Sequence, residues 1–370
     1  MSGAETFQGP LAGLRVVEFA GIGPCPFAAR LMAQLGAEVI RVCRPADGAH
    51  ELLPVDAKFD FLNLDKPTIA LDLKTGEGLA RAKELVGRAD ILLEGFRPGV
   101  MERQGLGPDV CLALNPKLIY GRVTGWGQDG PMAREAGHDI NYVALSGALH
   151  AIGPADGAPV PPLNLLGDFA GGGLYLVIGI LAALHQVRSG GAGQVIDAAM
   201  LDGVTHLMSF IHGLRQAGFY RNEREANPVD GGFPFNAVYG TADGKWVAVA
   251  PAEMRFRRNL VRELDLPDDV ATAANDPRIW PELRSRLAGI FRTESRDGWI
   301  TRLAEKDCCV SPVLDLDEVA SHPQHQARGN FESDAARGIA VPRVAPRFST
   351  GVPQPARIAP EDLISKWMTS

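Results

Sequence analysis

The length, composition and charge of the chain set the first limits on what it does. It has 370 residues, of which 46% are hydrophobic and 22% charged, so we expect a globular protein of two domains, or one large domain with an insertion. The net charge of −7 at pH 7 argues against general affinity for nucleic acid or an anionic membrane, and we expect neither as a partner.

The five cysteines give no pattern of metal binding, since none lies in a Cys-x-x-Cys or Cys/His cluster with ligand spacing. Their scatter favours a reducing compartment, and the first ten residues show neither a basic nor an apolar signal region. Residues 169–187 are uncharged and about as long as a membrane span, but four glycines and a histidine favour a buried helix. We therefore predict a cytoplasmic protein with no metal.

Predicted strands and helices alternate through the first part of the chain. Strands are predicted at residues 14–20, 37–43, 68–71, 91–94 and 117–123, with helices near residues 27–35 and 77–87. Such alternation indicates an α/β fold with a mostly parallel sheet that is covered on both faces.

The pattern changes further along the chain, where a helix from about residue 169 is followed by a different composition near residue 220. The later predictions are a polar linker at 221–232, a hairpin from 235–241 and 245–250, two or three helices up to about 320, a proline-rich extended segment at 339–360 and a helix at 361–368.

A glycine turn at residues 21–26 follows the first predicted strand and is typical of dinucleotide binding, but Pro26 replaces the third glycine. Arg41 and Arg44 end the second strand, where NAD binding needs an acid. Arginines there suit a phosphorylated ribose, as in NADP or the 3′-phosphate of coenzyme A, although solvated strand ends have the same sequence. Arg97, after the 91–94 strand, is a further ligand candidate or a surface ion-pair partner.

Two segments each offer one proton-transfer group. His138 follows a glycine and precedes an apolar run, and Asp168 precedes the long apolar helix. Two such groups on either side of a carbon acid suit a two-base racemase, whereas one nucleophilic carboxylate at a helix start suits acyl transfer. A structural histidine and an aspartate N-cap remain the simpler alternatives.

Five stretches together resemble the family III CoA-transferase superfamily (CaiB/BaiF type), and within it the α-methylacyl-CoA racemases. They are residues 11–18, 90–100, 119–131, 137–142 and 193–200. The resemblance implies a Rossmann-like large CoA-binding domain (1–220), a linker (221–232), a smaller α+β domain (233–325) and a return segment with a terminal helix on the large domain (326–370). It also implies an interlocked homodimer with shared active sites.

The resemblance also implies roles for single residues. Transferases of the superfamily have a nucleophilic aspartate that matches Asp168, and the racemases add a histidine that matches His138 and a small-domain glutamate best matched by Glu253. The supporting residues and the CoA-binding residues implied in this way are Asn164, Tyr142 and Gly167, and Arg41, Arg44, Lys66 and Arg97, respectively.

One segment departs from the superfamily pattern. A basic run such as Asn-Arg-x-Lys-Arg often precedes the third strand, whereas residues 63–67 of this chain read Asn-Leu-Asp-Lys-Pro. Only Lys66 remains basic and Asp65 adds an opposing charge. We expect weaker CoA binding, a shift of the phosphate contacts to the three arginines, or a different ligand.

We therefore predict an isomerase of lipid and fatty acid metabolism that interconverts the 2R and 2S forms of 2-methylacyl-CoA thioesters through an enolate. Asp168, with a raised pKa, and His138, oriented by Glu253, would exchange acid and base roles. Helix-start N–H groups near Phe169 would bind the thioester oxygen. No cofactor is needed beyond the CoA of the substrate. The alternatives are an acyl-CoA:carboxylate CoA-transferase with Asp168 as nucleophile and a non-catalytic CoA-binding paralogue.

Overall fold

The structure is a computed structural model that describes residues 9–45, 56–351, 353 and 358–369. The chain folds into two units. Unit 1 comprises Met1–Ser146, Pro162–Met208 and Phe331–Ser370, and unit 2 comprises Gly147–Pro161 and Ser209–Asn330. Each unit has its own β-sheet and its own hydrophobic core.

The strands of the described residues are β1 (Arg15–Phe19), β2 (Glu38–Cys43), β3 (Thr68–Ala70), β4 (Ile91–Glu94), β5 (Ile119–Thr124), β6 (Gln194–Ala199), β7 (Ala237–Gly240), β8 (Trp246–Val249), β9 (Val310–Pro312), β10 (Phe331–Asp334) and β11 (Ile339–Pro342). The α-helices are α1 (Pro24–Gln34), α2 (Gly76–Arg88), α3 (Val100–Arg103), α4 (Pro108–Leu114), α5 (Asp139–Leu145), α6 (Tyr175–Arg188), α7 (Met200–Leu207), α8 (Ser209–Gln216), α9 (Met254–Glu263), α10 (Val270–Ala273), α11 (Trp280–Phe291), α12 (Arg296–Leu303), α13 (Leu316–Val319), α14 (Pro323–Arg328) and α15 (Pro360–Thr369). A π-helical segment, Leu165–Leu174, which we call the π segment, continues directly into α6.

The main sheet of unit 1 has six parallel strands in the order β3-β2-β1-β4-β5-β6. Val16 in β1 pairs with Val39 on one side and with Ile91 on the other. The strand order reverses between β1 and β4, and ligands of open α/β sheets bind beside such a reversal at the carboxyl ends of the strands. The predicted α/β fold with a parallel sheet is thus confirmed, and β6 is a strand that the sequence analysis missed.

Both faces of this sheet are covered, as a parallel sheet requires. Val16, Ile91 and Ile119 face the core formed with α1 and α6. The alternate residues Val17 and Leu92 face the core formed with α2, α4 and α15. Alternate side chains of the strands therefore pack into two different cores, which holds the strand ends in place.

The π segment and α6 form one continuous helix, Leu165–Arg188, which by length and composition alone is apolar enough to cross a membrane. Its Leu176 and Ile180 side chains are buried in the core of unit 1, as in the core helices of globular proteins. Its opposite side exposes Leu174, Ile178 and Leu181. The predicted buried helix is therefore buried on one face only.

Unit 2 contains the antiparallel sheet β7-β8-β9, whose core includes the aromatic side chains of Phe235, Phe291 and Trp299. The predicted hairpin is confirmed by the antiparallel pairing of β7 with β8. The prediction of two or three helices up to residue 320 was too low, because the structure has five, α9 to α13. The segment predicted as extended begins with β11, which pairs with β10, and part of it lies outside the described residues.

Candidate active site

A glycine turn connects the end of β1 to the start of α1, beside the reversal of strand order. Gly23 precedes α1 with φ 67° and ψ −117°, a conformation that favours glycine. Lys66 supports this turn from inside, because its Nζ donates to Glu18 Oε2 at 2.6 Å and to the carbonyl oxygen of Pro26 at 3.3 Å.

Lys66 and Glu18 therefore form a buried ion pair, and neither side chain is exposed to solvent. Burial lowers the pKa of the Lys66 ammonium, although Glu18 opposes that shift. The sequence assigned Lys66 to CoA phosphates. The structure instead turns its ammonium into the protein, where it holds the glycine turn.

The loop after β4 carries Arg97 on the other side of the strand-order reversal. The buried Glu94 carboxylate accepts the Phe96 N–H at 2.8 Å and the Arg122 Nε–H at 2.7 Å. These bonds fix the beginning of the loop, and Arg97 projects from it as an exposed side chain.

Asp168 lies in the first turn of the π segment, half-buried against the glycine turn. A Cβ atom added to Gly23 would lie 2.9 Å from Oδ2 of Asp168, so the turn touches the carboxylate. Asn164 Nδ2 donates to the same oxygen at 3.1 Å. Burial raises the pKa of the Asp168 carboxyl, Asp139 raises it further, and Asn164 and His138 lower it.

The backbone N–H of Asp168 donates to Oδ1 of Asp139 at 2.7 Å. The Gly167 N–H interacts with the same carboxylate. The sequence predicted that N–H groups at this helix start bind the thioester oxygen. That prediction is wrong for these two groups, because Asp139 already occupies them.

His138 is exposed and forms the N-cap of α5 in extended conformation. Its backbone N–H donates to Asn141 Oδ1 at 3.0 Å. The imidazole is near enough to Asp168 for a charge on it to lower the pKa of that carboxyl. The two predicted proton-transfer groups therefore belong to one cluster in unit 1.

Tyr142 holds the backbone that precedes His138. Its hydroxyl donates to the carbonyl oxygen of Gly137, and its ring packs edge-on against Trp126 with 4.6 Å between centroids. A Cβ atom on Gly125 would overlap the Tyr142 ring, which explains why that position has no side chain. Burial and the Asp168 charge raise the pKa of the phenol, and Arg97 lowers it, so Arg97 is also near this cluster.

The arginines predicted to bind phosphate lie in or just after β2 (Arg41 and Arg44) and after β4 (Arg97), the two strands on either side of β1. Arg41 is half-buried in β2, and its Nε is a buried donor that has no hydrogen-bond partner among the described residues. Arg44 is exposed just after β2. Asp65, which adds the opposing charge, pairs with Arg30 at 3.3 Å and with Arg337 at 3.0 Å, so two arginines of unit 1 offset it.

Glu253 lies in unit 2, exposed, as the N-cap of α9. Unit 1 thus brings together His138, Asp168, Asn164, Tyr142 and Gly167, and Glu253 is not part of that unit. Sequence reasoning missed the roles of Gly23 and Asp139. The glycine turn that contains Gly23 and the position of Asp139 in the first turn of a helix can both be seen in the sequence. Neither signal shows that the residue lies next to Asp168.

Comparison with known proteins decides the family. The sequence profile of CoA-transferase family III matches residues 11–362. The chain belongs to CoA-transferase family III. The α-methylacyl-CoA racemase of Mus musculus is 41% identical over 339 residues, which cover 92% of this chain and 86% of the racemase. The alpha subunit of succinyl-CoA–L-malate CoA-transferase from Chloroflexus aurantiacus is 32% identical over 368 residues, 92% of this chain and 83% of that subunit.

A solved structure extends this relationship to the fold of the family III chain. The crystal structure of a CAIB/BAIF family protein from Brucella suis aligns with a TM-score of 0.81 and 26% identity, over 98% of this chain and 99% of that one. The resemblance recognised from five short stretches is therefore confirmed. Since relatives carry the names of both racemases and CoA-transferases, membership alone leaves the reaction open.

Proposed function

We propose that this family III protein is an isomerase that interconverts the 2R and 2S forms of 2-methylacyl-CoA thioesters. Family membership implies an acyl-CoA thioester substrate. The observation that carries the proposal is the hydrogen bond by which Asp139, the residue after His138, accepts the backbone N–H of the half-buried Asp168 and so brings the segments of both groups together. The 41% identity to a protein named as a racemase supports the same reaction.

The proposed reaction moves one proton off and another onto the α-carbon. One group removes the α-proton, and the electron pair of the broken C–H bond passes to the thioester oxygen as an enolate. The other group then protonates the α-carbon on the opposite face, and the carbonyl re-forms. His138 and Asp168 exchange these two roles when the substrate has the other configuration.

The environment of Asp168 suits this exchange of roles. Burial raises its carboxyl pKa, which brings the protonated form closer to neutral pH. Each such acid or base contributes about 10²- to 10⁴-fold in rate. Glu253 remains a proposed partner of His138 on the strength of the family resemblance.

Arg41, Arg44 and Arg97 are the proposed CoA contacts, since they stand at the strand ends where open α/β sheets bind ligands. Their guanidinium groups match phosphate geometry. No metal or redox cofactor takes part in the proposed chemistry, which needs only proton transfer and charge stabilisation. A cytoplasmic location is part of the proposal, in keeping with five free cysteines.

A homodimer with shared active sites is also part of the proposal. The family resemblance suggested it, and the exposed apolar side of α6 supports it. Ile178 and Leu181 of α6 are 60% and 38% exposed on that side, and Leu174, at the end of the preceding π segment, is 41% exposed. A contiguous apolar face of this kind is typical of a protein interface.

CoA transfer is the second candidate, because the half-buried Asp168 carboxylate is also a suitable nucleophile and a 32% identical relative is named as a CoA-transferase. In that reaction the carboxylate attacks the thioester, CoA leaves as thiolate and a mixed anhydride forms. Hydroxylamine traps such an anhydride, and His138 is not needed for it.

The test is α-proton exchange in D₂O, followed by proton NMR on a 2-methylacyl-CoA of one configuration. We expect deuterium incorporation with loss of optical purity in the wild type, and loss of both in His138→Ala and in Asp168→Ala. His150→Ala is the matched control, because His150 is an exposed histidine of unit 2. Absence of exchange, with CoA movement that needs Asp168 but not His138, would favour the transferase; tight CoA binding with neither would favour a non-catalytic protein.

A further inference from the structure

The carboxylate of Asp139 joins the two segments that carry the proposed bases. Asp139 is the first residue of α5 and directly follows His138. Its Oδ1 accepts the backbone N–H of Asp168 at 2.7 Å, across 29 residues of sequence. The Gly167 N–H also interacts with this carboxylate. One side chain thus ties the start of α5 to the first turn of the π segment.

The packing around this contact leaves no room for a larger residue at position 167. A Cβ atom added to Gly167 would overlap Oδ1 of Asp139 and approach its Cγ to 2.8 Å. Gly167 is buried and does not have the positive φ that by itself requires glycine. Close approach of the carboxylate, rather than backbone conformation, therefore explains the glycine.

We propose that Asp139 is a positioning residue, whose carboxylate holds the Asp168 backbone at a fixed place relative to His138. Asp139 affects the proposed reaction only by positioning Asp168 relative to His138. The expected changes in kcat rest on the proposed function, whereas the position of the Asp168 backbone does not.

Asp139 has a second effect on Asp168 through its charge. The groups that face the Asp168 carboxyl are His138 and Asp139 at the start of α5, Tyr142 one turn later, and Asn164 ahead of it on the same segment. The glycine turn contributes the backbone of Gly23. Asp139 disfavours the ionised form of Asp168, whereas a charged His138 favours it. Removal of the Asp139 charge should therefore lower the pKa of Asp168.

Two substitutions separate the charge from the hydrogen bond. Asp139→Asn keeps an oxygen that accepts the Asp168 N–H but loses the charge, so we expect kcat within about tenfold of wild type and an acidic limb of the pH–rate profile at lower pH. Asp139→Ala loses both, and displacement of Asp168 should reduce kcat about 10²-fold with little change in KM. Gly167→Ala disrupts the same contact, because the added methyl group would displace the Asp139 carboxylate, and it should behave like Asp139→Ala. Asp109→Asn, which replaces an exposed carboxylate in α4, is the control.

A readout that does not need activity keeps the inference separate from the proposed reaction. With aspartate ¹³C-labelled at the carboxyl carbon, the Asp168 resonance is assigned by its absence in Asp168→Asn and titrated in the folded wild type and in folded Asp139→Asn. A lower Asp168 pKa in Asp139→Asn supports the inference even if the wild type catalyses no exchange. An unchanged Asp168 pKa in Asp139→Asn overturns the charge effect, and an Asp139→Ala enzyme with wild-type kcat overturns the positioning role. Either result leaves the racemase proposal intact.

Discussion

Gly23 controls the space available to the Asp168 carboxylate. A Cβ atom at this position would lie 2.9 Å from Oδ2 and 3.1 Å from Cγ of Asp168, which is closer than atoms in contact allow. We predict that Gly23→Ala displaces the carboxylate and lowers the exchange rate about 10²-fold, as expected for a proton-transfer group moved by about 1 Å. Rates of α-proton exchange by NMR measure the effect.

Gly13→Ala is the matched control for this substitution. Gly13 also has positive φ, 83°, but no atom lies within 4 Å of a Cβ added there. It therefore reports the backbone strain alone, which is about 1–2 kcal/mol for a left-handed residue. Equal loss of exchange in both variants would mean that strain, and not contact with Asp168, is responsible.

The half-buried carboxyl of Asp168 should destabilise the folded protein at neutral pH. Because folding raises its pKa, the folded state binds the proton more readily than the unfolded state, and ionisation above that pKa opposes folding. We predict that Asp168→Asn raises Tm at pH 7–8 by about 2–4 °C, the effect of about 1 kcal/mol. At about pH 3, below the ordinary aspartate pKa of about 3.9, both states are largely protonated, and the difference should nearly disappear.

Calorimetry across pH 3–8 measures this difference. Asp109→Asn, which replaces an exposed carboxylate of the same unit, should show no comparable pH-dependent gain. A Tm gain for Asp168→Asn that persists unchanged at pH 3 would show that lost charge is not its cause.

Among single residues, the sequence pointed to the proposed proton-transfer groups but not to their neighbours. His138 and Asp168 stood out because each lies next to glycines, and the structure puts them in one cluster. Lys66 was misread because a lysine near a strand end is usually solvated, whereas here Glu18, 48 residues away in sequence, binds it inside the protein. Contacts between distant residues leave no trace in a single sequence.

Among the elements, the π segment depends on glycines that let helices touch. A Cβ atom on Gly203 of α7 would overlap the carbonyl oxygen of Gly171 in the π segment, and one on Gly171 would lie 2.7 Å from Val204 Cγ2. We predict that Gly203→Ala destabilises unit 1 by at least about 2 kcal/mol, because the helices must separate. Urea unfolding gives the value.

Gly87→Ala, in the same unit, should stabilise the protein rather than destabilise it. Gly87 lies in α2 with no atom within 4 Å of an added Cβ, so alanine should stabilise the helix by about 0.5–1 kcal/mol. Similar destabilisation by both substitutions would contradict close glycine packing as the cause.

The elements were predictable where the apolar pattern was regular. The four inner strands of the parallel sheet followed from largely buried apolar runs, and the edge strand β3 was also predicted although it is largely exposed. The other edge strand, β6, was missed; its side chains alternate between half-buried and exposed over most of its length. The helix predicted from about Phe169 begins at Leu165 and is π-helical up to Leu174. The π segment contacts α1, α5 and α7. Contacts of this kind are not encoded in the local helix propensity of a sequence.

For the whole molecule, the proposed dimer gives a direct prediction. Ile178→Glu places a charge at the centre of the exposed apolar side of α6, where Ile178 is 60% exposed. We expect a wild-type dimer by size-exclusion chromatography with light scattering, and a shift of this variant to monomer with loss of exchange, since shared sites need both chains.

Leu114→Glu is the control, since Leu114 is a 45% exposed apolar residue at the end of α4, outside that face. It should remain dimeric and active. A monomeric and active wild type, or an Ile178→Glu variant that stays dimeric, would contradict the proposed role of this face.

The fold class and family of the whole chain were within reach of the sequence, because alternating elements and five family stretches extend along most of it. The homodimer and the racemase reaction, which the family resemblance implied, stay predictions, because the candidates His138 and Glu253 belong to different units. One measurement on the protein in solution tests the proposed reaction directly.

That measurement is the position of the first deuterium incorporated when one enantiomer of a 2-methylacyl-CoA reacts in D₂O. Two bases predict that the first product of inverted configuration carries deuterium at the α-carbon, while the remaining substrate keeps its hydrogen, because each face is served by a different group. Early deuterium in the unreacted substrate would point to a single exchanging base. Inverted product without deuterium, or no inverted product alongside CoA transfer to a free carboxylate, would contradict the two-base racemase.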